Sequence, residues 1–149
     1  MRQALGALAL LIMAACGGPQ PPDMKDPASV ARYFVDAYNA KDLTRMLPLV
    51  DQVNMDALKA ALAEGANGPA LQGIFNPEAV TIIGREGGRV EGPRYDRRDA
   101  YVKVGASGDG DVYVIVLARQ KDDTWIIAEN SLMSETKFKA LSEEQPARK

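Results

Sequence analysis

The chain has 149 residues, a formal net charge of −2, one cysteine and no histidine. This length suffices for one domain with its own core, and the mildly acidic balance gives no general attraction to nucleic acid. Without histidine the chain lacks the commonest general base and neutral metal ligand, and a lone cysteine has no intramolecular disulfide partner. We therefore predict neither a metal site nor a cofactor.

Residues 1–15 have the pattern of a signal segment, in which a positive charge precedes an apolar run and small residues. The run is too short for a membrane-spanning helix, which needs about 20 apolar residues. Two alanines before Cys16 resemble the lipobox of bacterial lipoproteins, although Met13 occupies a position that is usually Leu. The resemblance implies cleavage before Cys16, lipid on its sulfur and acylation of the new amine. The alternative is a secreted protein with a chance cysteine at its cleavage site.

The segment after the signal predicts how the protein is held at the membrane. Gly17, rather than Asp, follows the cysteine, and by resemblance to Gram-negative sorting signals this favours the periplasmic side of the outer membrane. Residues 16–25 are rich in Pro and Gly and predict an extended tether. We expect the folded domain at residues 26–141 and a flexible tail at residues 142–149.

The first helix is predicted to begin at Asp26, because an Asp cap followed by Pro27 is typical of a helix N-terminus. Its apolar residues recur at helical spacing and predict one buried stripe: Val30, Tyr33, Phe34, Ala37 and Tyr38.

Two further helices are expected. Asp42 can cap a short second helix that ends near Pro48, and a third helix is predicted over residues 54–64, with Gly65 as its stop. The residues expected to point inward from the third helix are Met55, Leu58 and Leu62. Residues 66–77 are either irregular or hold one helical turn around Leu71.

From Val80 onward the hydrophobic period changes to two, which indicates strands. A strand at 80–83 and a turn at 86–89 precede a return strand that Gly92 and Pro93 interrupt. The next strand is predicted at residues 101–106, followed by a turn at 107–110.

A hairpin over residues 111–130 is the strongest signal in the chain. Val112, Val114 and Val116 alternate with Ile115 and Leu117, so both faces of this strand are apolar and both need a cover. The second strand begins near Trp125, and residues 135–141 predict a terminal helical turn. This order of elements predicts an α+β fold, with N-terminal helices packed on a curved antiparallel sheet of four to five strands.

Two short motifs carry a family resemblance. The run at residues 35–42, with Leu47, and the polar turn before Trp125 resemble the nuclear transport factor 2-like, cystatin-like cone superfamily. A lipoprotein signal ahead of them resembles small bacterial lipoproteins with a domain of uncharacterised function. The resemblance implies a cone-shaped domain and, as one arrangement, a homodimer across the open sheet face.

Aromatic residues form the first candidate binding set, for an apolar or amphipathic ligand at the mouth of the cone. Its members are Tyr33, Tyr38, Tyr101, Tyr113 and Trp125. The alternative is that these side chains only pack in the core.

Arginines form the second candidate set, for an anion. Arg94, Arg97 and Arg98 have guanidinium groups that suit phosphate and carboxylate, within a wider cluster that includes Arg85 and Arg89. The alternative is a solvated, mixed-charge sheet edge, because acidic residues are interleaved with them.

These observations favour a non-catalytic module that is held at the membrane by a lipid anchor and binds a small ligand or an envelope protein. The alternative is a small hydrolase or isomerase of the same fold that uses one carboxylate in the cavity. Its candidates would be Asp36, Asp99 and Glu129, beside a tyrosine.

Overall fold

A computed structural model describes residues 18–65, 68–74, 90–107 and 109–147. The predicted signal segment, Cys16 and Gly17 lie outside the described residues, as do the strand at 80–83, the turn at 86–89, and Arg85 with Arg89. None of the helices in the described ranges is long and apolar enough to cross a membrane.

Helix α1 spans Pro27–Asn39 and begins as predicted. The Asp26 side chain accepts a hydrogen bond from the backbone N–H of Ala28 at 2.9 Å, and Pro27 occupies the first turn. Of the predicted stripe, all but Tyr33 are buried; Tyr33 is half-buried. The local capping signal and the helical period therefore located this helix correctly.

Helix α2, Leu43–Met46, is capped by Asp42 and runs into a 3-10 turn at Leu47–Leu49. The α-helix ends at Met46, near Pro48 as predicted, and Pro48 itself lies inside the 3-10 turn that follows. A proline is tolerated there because the first N–H groups of a helical turn have no internal partner.

Helix α3 spans Gln52–Glu64 and stops at Gly65, whose φ of 82° suits glycine. Leu58 is buried as predicted and Met55 is half-buried, but Leu62 is 40% exposed, so its predicted inward position was wrong. Ala61 is buried instead. Successive helical residues turn by about 100°, so the burial of Ala61 points Leu62 toward solvent.

Helix α4, Pro69–Ile74, includes the turn predicted around Leu71. The described strands are β1, Glu91–Asp96; β2, Asp99–Ala106; β3, Asp111–Arg119; and β4, Trp125–Ser134. Helix α5, Glu135–Ala140, follows directly. The four strands form an antiparallel sheet in the order β1-β2-β3-β4, and the predicted α+β fold is confirmed.

Each of three strands carries one irregular step in its pairing. The register shifts between Glu91 and Arg94 in β1, between Lys103 and Gly105 in β2, and between the partners of Val116 and Leu117 in β4. An extra residue in one strand bends it and increases its twist, so these bulges account for the curvature of the open sheet. Gly92 and Pro93 thus bend β1 without ending it.

The two faces of β3 are covered by different parts of the chain. On the inner face, Ile115 and Leu117 pack with α1, α2 and α3 in the main core. On the outer face, Val112, Val114 and Val116 form a smaller cluster with Phe138 of α5. The predicted alternation is confirmed, and a six-residue helix provides the outer cover.

The segment after α5 lies along β1. Backbone hydrogen bonds join Tyr95 and Ser142 in both directions, at 2.7 and 3.1 Å. Arg94 pairs with Glu143 at 2.9 Å, and Arg119 donates to the carbonyl oxygen of Pro146 at 3.4 Å. Residues 142–147, predicted to be a flexible tail, therefore contact the sheet at three points.

Candidate functional site

A cavity of about 490 Å³ lies between the helices and the inner face of the sheet. We call it the helix–sheet cavity. Phe34 and Tyr38 line it from α1, one helical turn apart, with ring centroids separated by 6.2 Å. Leu58 and Ala57 line it from α3. These positions follow from the helical spacing that turns the apolar faces of α1 and α3 toward the sheet.

The sheet provides the opposite wall. Tyr113 and Ile115 line the helix–sheet cavity from β3, and Ile127, Asn130 and Leu132 line it from β4. Ile115 and Ile127 are buried, whereas Asn130 is exposed and Leu132 is 50% exposed. The cavity is therefore apolar at its base and carries an amide and an exposed leucine on its β4 side.

Two polar side chains stand on the apolar walls. Burial raises the pKa of the Tyr38 hydroxyl above its ordinary value of 10.0, so this group is neutral at physiological pH. Tyr113 is half-buried, and its hydroxyl makes no hydrogen bond to the residues that the structure describes. Both can orient one polar group of a bound molecule.

Asn54 connects α3 to β4 beside the helix–sheet cavity. Its Nδ2 donates to Asp51 Oδ1 at 2.9 Å and to the carbonyl oxygen of Ala128 at 2.8 Å. Since both amide protons are used, any contact of the Asn54 side chain with a ligand must go through Oδ1. The Ala128 carbonyl belongs to the bulged residue of β4, so this side chain satisfies the irregular part of the strand.

The bulge determines which residues of β4 face the helix–sheet cavity. Leu132 is paired with Tyr113, and Glu129 is paired with Val116. Residues directly opposite each other in an antiparallel pair share a face, so the Glu129 side chain lies on the outer face. Glu129 borders the cavity but directs its exposed carboxylate away from it.

The other two candidate carboxylates lie elsewhere. Asp36 is exposed on α1, and Asp99 is half-buried on the outer face, opposite Ala118. Burial, then the charges of Asp96 and Glu129, raises the pKa of Asp99 above 3.8. Neither Asp36 nor Asp99 is among the described residues that line the helix–sheet cavity.

The structure brings together only part of the aromatic set. Tyr38 and Tyr113 share the helix–sheet cavity, and Phe34, which lies one helical turn before Tyr38 on the predicted stripe, joins them there. Tyr33 packs below the Arg45 guanidinium, 4.5 Å from its ring centroid, and Tyr101 lies against the outer cluster. Trp125 is 1% exposed and borders a different cavity.

The arginine set is also divided. Arg97 and Arg98 line the cavity that Trp125 borders, at the turn end of the sheet. Arg94 lies apart from them, over the Phe138 ring at 5.4 Å, and is paired with Glu143. Arg119 joins Arg97 and Arg98 instead, a position that β-hairpin topology fixes but the sequence pattern does not reveal.

Within the described ranges, no group of three or more Asp, Glu, Cys or His residues is placed to hold a metal ion. Comparison with protein-family models, with curated proteins and with solved structures found no match to this chain.

Proposed function

We propose that this chain is a lipid-anchored envelope protein whose domain binds an apolar or amphipathic small molecule in the helix–sheet cavity. The observation that carries the proposal is the cavity itself, whose volume of about 490 Å³ falls in the range of small-molecule sites. Such sites are lined mostly by apolar and aromatic side chains with a few polar groups that fix orientation. Phe34, Leu58 and Ile115 fit the first role, and Tyr38 and Tyr113 fit the second.

The position of the polar groups suggests how an amphipathic molecule would lie. Its apolar part would contact Leu58 and Ile115, which are buried, while a polar group would meet Asn130 on the exposed part of β4. Leu132, half exposed on the same strand, offers apolar contact to any portion that stays near the surface. Burial of this apolar surface would contribute about 25 cal/mol for each Å² removed from water.

The membrane part of the proposal rests on the sequence around Cys16. Several acyl chains on one cysteine anchor a protein stably, whereas one chain is marginal. An outer-membrane anchor with a tether of about ten residues would keep the cavity within roughly 30 Å of the lipid, where amphipathic molecules are abundant. Substitution Cys16→Ser is expected to release the chain from detergent-extracted envelopes into the soluble periplasmic fraction.

The enzymatic alternative, a hydrolase or isomerase with one carboxylate in the cavity, stays a prediction. The described lining offers it no inward carboxylate, since Glu129 faces outward. The homodimer across the sheet face and an envelope protein as partner are likewise predictions. Native mass spectrometry of the chain from its own host would report oligomeric mass and retained ligand in one measurement.

A binding experiment tests the helix–sheet cavity directly. The neutral fluorescent probe N-phenyl-1-naphthylamine is titrated into the full chain and into the variants Ala57→Trp and Ala60→Trp. Both alanines are exposed on α3, but only Ala57 lines the cavity. An indole at position 57 occupies the space without forcing a larger side chain into the packed core.

We expect Ala57→Trp to weaken probe binding at least tenfold and Ala60→Trp to leave it within twofold, with the thermal midpoints of both close to that of the parent. Equal loss in both variants, or none in Ala57→Trp, would show that the probe binds elsewhere. In that case the proposed ligand site is incorrect, although the membrane anchor would be unaffected.

A further inference from the structure

A second cavity, of about 460 Å³, lies at the end of the sheet where two hairpin turns meet. We call it the basic cavity. Arg97 and Arg98 reach it from the β1–β2 turn, and Arg119 and Lys121 from the β3–β4 turn. Trp125, at the start of β4, forms part of its wall. The described lining residues carry four positive charges and no carboxylate.

Two of these cations form no ion pair with the described residues, although Asp96 and Asp99 flank them in the chain. Arg97 and Arg98 are exposed, and neither makes an ion pair or hydrogen bond with the described part of the chain. Their guanidinium groups leave ten N–H donors directed to solvent or to a ligand. Because like charges on one turn repel each other, a bound anion would lower the electrostatic free energy of this arrangement.

Arg119, by contrast, is held in place. Its Nη2 atom pairs with Asp123 at 3.0 Å, Nη1 donates to the Pro146 carbonyl oxygen at 3.4 Å, and its guanidinium carbon lies 6.0 Å from the Trp125 ring. A cation fixed in this way loses little freedom when it binds a ligand. Arg119 thus provides a preorganised wall opposite two free guanidinium groups.

Two donors in this wall have no partner within the described ranges. Both the Nε of Arg119 and the indole Nε1 of Trp125 are buried without a hydrogen bond. Trp125 as a whole is only 1% exposed. Buried polar groups are normally paired, so these two donors on residues that line one cavity have unused hydrogen-bonding capacity.

The backbone of the first turn is an independent observation. Arg97 has a φ of 55°, a conformation that a long side chain adopts rarely and that costs about 1–3 kcal/mol. A glycine would occupy it without strain. Arg97 has this strained conformation at a position where it lines the basic cavity.

We propose that the basic cavity binds inorganic phosphate or a phosphate monoester. After Arg119 is matched to Asp123, Arg97 and Arg98 still contribute two positive charges to the lining, which suits a dianion better than a singly charged carboxylate. Phosphate also offers several acceptor oxygens to guanidinium groups that approach from two turns. This site is separate from the helix–sheet cavity and does not depend on the function proposed for it.

The intrinsic fluorescence of the full chain measures this binding, because Trp125 is its only tryptophan. The probes are inorganic phosphate, glycerol phosphate as a monoester, and acetate, each at pH 8 and equal ionic strength. The variants are Arg97→Gly and Arg98→Gln. Arg32→Gln is the control, since Arg32 is exposed on α1 and lies outside the basic cavity.

We expect saturable phosphate binding that Arg97→Gly and Arg98→Gln each weaken about tenfold to a hundredfold, with Arg32→Gln unchanged. Arg97→Gly relieves the strained φ, so it should fold at least as well as the parent while binding less tightly. Tighter binding of glycerol phosphate than of phosphate would identify a monoester such as a lipid headgroup, and the reverse would identify free phosphate. Acetate binding as tight as phosphate, no saturable binding, or equal loss in Arg32→Gln would overturn the proposal.

Discussion

Substitution Phe138→Ala tests whether α5 covers the outer face of the sheet. Phe138 is fully buried and is the single buried residue of α5. Replacing a buried Phe by Ala costs about 3–5 kcal/mol, through lost transfer free energy and the cavity that remains. The Arg94 guanidinium, 5.4 Å from the ring centroid, loses an interaction of about 0.5–1 kcal/mol. We therefore expect the free energy of unfolding to fall by about 4 kcal/mol, a large part of the usual 5–15 kcal/mol.

The loss should also be visible locally. A helix of six residues is not stable by itself in water, so α5 depends on the docking of this ring. Once it detaches, the backbone pairing between Tyr95 and Ser142 loses its support on one side. Amide hydrogen exchange in residues 135–147 should then approach the rate of an unprotected chain.

Urea titration of the full chain, followed by tryptophan fluorescence, gives the free energy of unfolding. Lys137→Ala is the matched control, because Lys137 is exposed on the same helix and its substitution should change stability by less than about 0.5 kcal/mol. If Phe138→Ala costs less than about 1 kcal/mol, or if residues 135–147 keep their protection, the ring does not hold α5 on the sheet.

Two further predictions concern polar groups of the sheet. Burial raises the pKa of Asp99, so the stability that its neutral form provides is complete below pH 3.8 and is lost as the pH rises through the raised pKa. The variant Asp99→Asn stays neutral at every pH. It should therefore be more stable than the parent at pH 7 in urea titrations, and the difference should vanish near pH 3. An equal difference at both pH values would refute this assignment. Asn54→Ala removes the donor to the Ala128 carbonyl and should lower the free energy of unfolding by about 1–3 kcal/mol. The control is Gln52→Ala, which loses only an exposed hydrogen bond on α3 and should lower the free energy of unfolding by less than about 0.5 kcal/mol in the same assay. Equal costs would show that Asn54 does not support the bulge.

Much of the fold could be predicted from the sequence because its signals are local. The cap at Asp26, the stop at Gly65 and the alternation in β3 each depend on residues within a few positions of one another. Such features need no knowledge of what packs against them. The requirement that both faces of β3 be covered was also evident, but the identity of the outer cover was not, because α5 contributes a single buried ring.

Side-chain orientation was less predictable where packing overrides the pattern. On α3 the spacing of Met55, Leu58 and Leu62 predicted a broad apolar stripe, yet the small Ala61 is fully buried and Leu62 is 40% exposed. Hydrophobicity alone cannot distinguish these two positions, because which face of a helix is buried depends on its neighbours as well as its residues. The basic cavity could not be predicted from the sequence for a related reason. Arg119 is 21 positions from Arg98 in the chain, and only strand pairing brings the two residues to the same cavity.

The extra residue in β4 determines which chemistry faces the helix–sheet cavity. Strict alternation from Ile127 would place the Glu129 carboxylate on the inner face and Leu132 on the outer face. Because the strand contains the bulged Ala128, the alternation reverses beyond it, and Leu132 shares the inner face with Tyr113. A shift of one residue exchanges the two faces of a strand from that point onward. The sequence contains no glycine or proline to mark the bulge. Only the strand pairing shows that the Glu129 carboxylate faces outward and that Leu132 belongs to the apolar wall of the cavity.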